Sequence, residues 1–94
     1  MKGAEQARRI VNREVVVLLG TGLAARDPEL SIAGERVSWR VPIVLSLPGL
    51  GDVGQAGTVD LDAQTGQTML TEAAQARIVE HARRLYAGAT LQAK

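Results

Sequence analysis

From Arg36 to Leu47 the sequence reads RVSWRVPIVLSL, which places Val37, Trp39, Val41, Ile43, Leu45 and Leu47 at every second position. Arg36, Ser38, Arg40, Pro42 and Ser46 fall between them, and Val44 is the one apolar residue on that side. A period of two is the spacing of a strand with one covered face. A second alternation follows, with Gly57, Val59, Leu61 and Ala63 against Thr58, Asp60 and Asp62. Two such runs across a glycine-rich connection predict an antiparallel hairpin. A hairpin alone is marginal in water, so the rest of the chain has to cover its apolar face.

The flanking segments are built for that. Over residues 4–19, Ala4, Ala7, Ile10, Val11, Val15 and Leu18 lie near one helical stripe, with Glu5, Arg8, Arg9 and Arg13 mostly opposite. Gly20 or Gly22 is the expected stop. Thr71 is positioned to cap a second helix and Glu72 to meet its dipole. Ala74, Ile78, Ala82 and Leu85, with Val79 and Tyr86 beside them, form the expected buried stripe, and Gly88 the expected end. Asp62-Ala63-Gln64-Thr65-Gly66 has turn composition, and Gln67 to Leu70 is expected as a short third strand. Residues 20–35, with Asp27-Pro28 and Gly34, read as a connection holding one turn of helix or a short strand over Leu30 to Ala33. Pro42 cannot donate to a ladder, which predicts an edge position or a bulge for the first long strand.

The fold class that follows is α+β: an N-terminal helix, an antiparallel hairpin with a short third strand, and a C-terminal helix packed on one face of the sheet. Ninety-four residues make one domain, 1–94, with its core over about 4–88 and a flexible tail at 89–94 held only by Leu91. One Trp, one Tyr and no Phe leave the core to aliphatic residues and predict Trp39 near its centre.

Composition excludes several functions. Eleven basic and ten acidic residues give a net charge of +1 with no basic stripe, so nucleic acid is not an expected partner. Zero cysteines remove disulfides, thiolate nucleophiles and cysteine-ligated zinc, and suit a reducing compartment. No run approaches the roughly 20 apolar residues of a membrane span. Arg8, Arg9 and Arg13 before VVVLLGTGLAA imitate a leader, but the apolar run is short and carries Gly20 and Gly22, so the expected location is cytoplasmic.

Individual residues carry little chemistry. Gly49 to Gly54 spells G-x-G-x-x-G, yet a strand pattern stands where a dinucleotide site needs a helix, so no cofactor is expected there. His81 is the only histidine and has no H-x-x-x-H partner, which argues against a metal site. Asp60 and Asp62 share a sheet face, which could suggest paired acid–base carboxylates but is more the mark of a solvent-facing strand. One histidine among scattered serines offers no Ser-His-Asp arrangement. No catalytic residue is therefore assigned. Leu50 and Val53 lie on the connection, where they either fold back on the core or join a partner-binding surface.

The strand beginning VSWRV and the strand ending VDLDAQTG together resemble the PepSY-like domains, on Trp39, Asp62, Ala63, Thr65 and Gly66. The resemblance covers about half the chain. It implies a small module with a helix on an antiparallel hairpin that acts by protein interaction, in several cases as an inhibitor of or accessory to a peptidase, and it transfers no catalytic residue. Family members are typically exported or membrane-attached, and the helix after the turn is longer here than the pattern needs. The expected function is a non-catalytic interaction module such as an inhibitor or an accessory, antitoxin-like subunit. It would bind a partner protein and also itself through Arg40, Pro42 and Val44 on an exposed strand edge and Leu50 and Val53 on the loop. The alternative is a small-ligand-binding regulatory domain with a pocket between helix and sheet near Trp39 and Tyr86.

Overall fold

The computed structural model describes residues 1–20 and 22–92. The chain forms α1 (Ala4–Leu19), β1 (Leu23–Ala25), β2 (Glu29–Ala33), β3 (Arg36–Leu47), β4 (Gly51–Asp62) and α2 (Glu72–Gln92). This is an α+β fold in which both helices pack on the same face of an antiparallel sheet. Its core holds Ala7, Val11 and Val15 of α1, Val41, Ile43 and Leu45 of β3, Val59 and Leu61 of β4, and Ile78 of α2. Each large aliphatic side chain buried there contributes about 1.5–3 kcal/mol. The covered face is the one set by the alternation of β3. Among the described residues no charged or polar residue is buried in it.

β3 is the centre of the sheet and not its edge. One side pairs with β4 from Ser38↔Asp62 to Leu47↔Gly51. The other side is shared, β2 pairing with residues 36–40 and β1 with residues 43–45. Pro42 falls in the gap between these two partners. Its carbonyl accepts from the Arg26 N–H at 3.0 Å, and a residue in an antiparallel strand aims its nitrogen and its carbonyl to the same side. The missing N–H therefore faces the bend at Asp27-Pro28, where no ladder bond is due. Proline is tolerated in a central strand because the strand beside it is interrupted at that point.

β1 is a further difference from the expected hairpin with one extra strand. It is held from both sides: Asn12 of α1 accepts from the Ala25 N–H through Oδ1 at 3.0 Å, while Ala25 pairs with Ile43. Gln67 to Leu70 makes only a single bridge, Leu61↔Thr68, with Met69 N–H donating to the Asp60 carbonyl and Asp62 N–H to that of Gln67. The hairpin connection is shorter than the seven residues expected, since β4 begins at Gly51. Two bulges, between Ile43 and Val44 and between Leu45 and Ser46, absorb the extra residues of β4.

The glycines of β4 receive α2. A methyl group on Gly57 would lie 2.9 Å from Ile78 Cγ1, and one on Gly54 would lie 2.8 Å from Leu85 Cδ2. Ile78 and Leu85 are seven residues apart, two turns along one face of the helix. Of the run that imitates a phosphate loop, Gly54 thus helps form a groove for a helix, while Gly49 and Gly51 serve the hairpin turn with φ of 79° and 71°.

Both helix starts match the sequence reading. Thr71 Oγ1 accepts from the Ala74 N–H at 3.1 Å, and α1 stops at Gly20 with φ of 121°. α2, however, runs through Gly88 to Gln92. A glycine inside a helix costs about 1 kcal/mol relative to alanine, too little to stop a long helix by itself. The tail expected at 89–94 is helical as far as Gln92, and Lys94, Ala93 and the Leu91 side chain lie outside the described residues. Trp39 sits at the rim of the core, half-buried, its indole N–H donating to the Lys2 carbonyl at 2.8 Å. The Lys2 N–H in turn donates to Ala63. Leu18 and Tyr86, expected on buried stripes, are exposed.

Candidate functional site

The residues expected to bind a partner do not form one surface. Arg40, Pro42 and Val44 alternate along the sheet face that the helices leave open, in the middle of the sheet. Leu50 is 54% exposed at the hairpin tip, while Val53 packs against the core. Of the two fates open to the loop residues, Val53 takes one and Leu50 the other.

The open face is polar and laced with ion pairs. Arg26 grips Asp52 through two bonds of 2.6 and 3.0 Å, and its guanidinium holds the Asp52 carboxyl below its ordinary range. Arg40 Nε lies 3.5 Å from Asp60 Oδ1. Asp62 is committed to the turn, where Oδ1 accepts from Gln64 N–H at 2.8 Å and Thr65 N–H at 3.0 Å. These backbone donors, Thr65 first, lower its pKa. Asp60 and Asp62 thus serve an ion pair and a turn, and His81 is exposed on α2. Among the described residues no three His, Cys, Asp or Glu side chains converge as a metal site.

The sign of the Asp62 shift gives a pH prediction. A carboxyl whose pKa is lower in the folded chain adds stability that is present above its unfolded value and is lost as pH falls through the folded one. Asp62→Asn is expected to lower stability at neutral pH and to flatten the acid limb of the stability profile below about pH 4. Urea titrations across that range check it. An unchanged acid slope would show that the turn does not depend on the carboxylate.

Trp39 and Tyr86, expected to share a pocket, lie apart along β3. A depression of about 280 Å³ is lined by Tyr86, Leu23, Leu45 and Val79, whereas Trp39 lies toward the other end of β3, opposite Leu61 and Leu30. A larger one of about 370 Å³ lies between α2 and β4, where Arg77 and His81 face Gln55 and Thr58. A third, of about 500 Å³, lies on the open face beside Asp60, Asp62 and Thr68.

The sheet edges differ more than the pockets do. The outer edge of β4 is bulged twice, is overlaid at one end by Gln67 to Met69, and has α2 beside it. Bulges and cover are the usual means by which a strand edge is made unavailable. β2 has neither. It pairs with β3 without a break in register from Glu29↔Arg40 to Ala33↔Arg36. Leu30 and Ile32 lie opposite Trp39 and Val37, on the helix side of the sheet, yet they are 48% and 67% exposed. The helices pack over β1, β3 and β4, leaving two large aliphatic side chains exposed on an open strand. The sequence reading passed over these two residues as a candidate surface. Their signal was the alternation in ELSIA between Pro28 and Gly34.

No protein-family model, curated protein or solved structure matches the chain. No helix among the described residues is long and apolar enough to cross a membrane.

Proposed function

We propose that this protein is a non-catalytic interaction module, an inhibitor or an accessory, antitoxin-like subunit, that recruits another chain by strand addition. The observation that carries this reading is the β2 edge, an unbulged strand with Leu30 and Ile32 exposed beside it. Strand addition draws affinity from backbone hydrogen bonds and specificity from alternate side chains, and β2 offers both. The family resemblance on Trp39 and Asp62 to Gly66 points the same way. A cytoplasmic setting belongs to this reading, and the cysteine-free composition suits it.

Affinity capture from the native host with the unmodified chain and with Ile32→Lys tests the proposal. A stoichiometric partner whose recovery falls about tenfold or more with Ile32→Lys is the expected result, since a charge on the apolar edge opposes docking. Recovery of no stoichiometric partner, or recovery unaffected by the substitution, would overturn it.

A further inference from the structure

We infer that β2 is also the self-association site of this chain, pairing antiparallel with β2 of a second copy about a twofold axis through Ser31. The inference deepens the interaction reading above by naming one occupant of the same edge and its register.

The backbone decides which groups are free. Pro42 accepts from Arg26, and Ser46 donates to the Gly22 carbonyl, so the even-numbered residues of β3 direct their backbone toward β1 and β2. Their bonded partners in β2 are Glu29, Ser31 and Ala33, opposite Arg40, Ser38 and Arg36. Leu30 and Ile32 therefore aim both N–H and C=O outward, at the open edge.

A register centred on Ser31 sets Leu30 of one copy against Ile32 of the other, and the reverse. Each such pair exchanges two backbone hydrogen bonds and brings two exposed aliphatic side chains together on the helix side of the joined sheet. Shifting the centre to Leu30 would set Ile32 against Pro28, which has no N–H to give. Shifting it to Ile32 would set Leu30 against Gly34, with no side chain to pack. Only the central register satisfies both apolar residues.

The polar face agrees with the same register. Glu29 would lie opposite Ala33 of the second copy, so no like charges meet. The row across the joined sheet would read Arg40, Glu29, then Ala33 and Arg36 of the second copy, following the observed pairs Glu29↔Arg40 and Ala33↔Arg36. Each glutamate would stand between an arginine of its own copy and, across a small alanine, one of the other. An isologous contact of this kind closes on itself and leaves no growing edge. Five-residue strands make a small interface, at the low end of the size range for specific contacts.

The register is tested by cysteine placement, because the native chain has no cysteine. Ser31 would meet its own copy as a non-hydrogen-bonded pair, with Cα atoms about 4.5 Å apart, within disulfide reach. Ser31→Cys is expected to form a covalent dimer under mild oxidation. Glu29→Cys, displaced from its own copy by four residues along the strands, is expected to stay near background. Sedimentation equilibrium of the cysteine-free chain should show a dimer that Ile32→Lys weakens about tenfold or more, since the change acts twice across the axis. Circular dichroism confirms that the exposed substitution leaves the fold intact. A chain that stays monomeric at millimolar concentration, or equal cross-linking at both positions, would overturn the inference. A monomer that still captures a host partner through β2 leaves the interaction reading standing. A dimer that captures no host partner removes that reading and keeps this one.

Discussion

Ile43→Ala is expected to cost about 3–5 kcal/mol and to leave a large part of the population unfolded at physiological temperature. Ile43 is among the largest fully buried side chains, opposite Ala25 on one side and Gly57 on the other. Both neighbours are small, so neither can expand into the space that truncation would leave. The cavity term is then close to its full value. For a domain of this size the melting midpoint should fall by about 12–25 °C or more. Thermal denaturation followed by circular dichroism reads this directly, and a loss under about 1 kcal/mol would mean that the core is centred elsewhere. Trp39→Ala, by contrast, removes a half-buried ring at the rim together with its bond to Lys2. Its cost should be about 2 kcal/mol, below the range of a fully buried tryptophan.

Gly57→Val is the second large effect. Its first added carbon would meet Ile78 Cγ1 at 2.9 Å, and the branched methyls would reach further into the helix. Ile78 is itself buried, so α2 has to shift away from β4, at a cost of about 2–3 kcal/mol. The loss should be local before it is global: amide exchange should rise over residues 72–92 while the β3 ladder with β1 and β2 stays protected. Gly88→Ala provides the opposite sign. An added methyl there meets nothing within 4 Å, and alanine in a helix should stabilise by about 0.5–1 kcal/mol. Equal effects at the two glycines would show that the groove is not what they are for.

The parts of the fold that were legible in the sequence are those set by local chemistry. The α1 stripe, the β3 alternation, the Asp62 to Gly66 turn and the Thr71 cap each rest on spacing or on a side chain bonding its own neighbourhood. What stayed hidden depends on partners distant in sequence. β1 is three residues long, LAA, with no pattern of its own, and becomes a strand because Asn12 and Ile43 hold it from either side. Gly54 looked like loop material and Gly57 like an ordinary strand position until Leu85 and Ile78 filled the space above them. Gly88 looked like a helix end because propensity is a weak guide once a helix is already long. For the candidate site, composition left Leu30 to Ala33 open between a turn of helix and a short strand, and the exposure of Leu30 and Ile32 follows from the helices packing over β1, β3 and β4 instead of β2, which no local pattern records.

Pro42 has a consequence for the phase of its neighbour. If β2 slid two residues along β3, Glu29 would come opposite Pro42 and find no donor for its carbonyl. If it slid one residue, Leu30 and Ile32 would turn to the arginine side of the sheet. The proline thus works as an index mark: it closes off the longer slip in that direction, while the ion-paired face opposes the shorter one that would turn the oily side chains over.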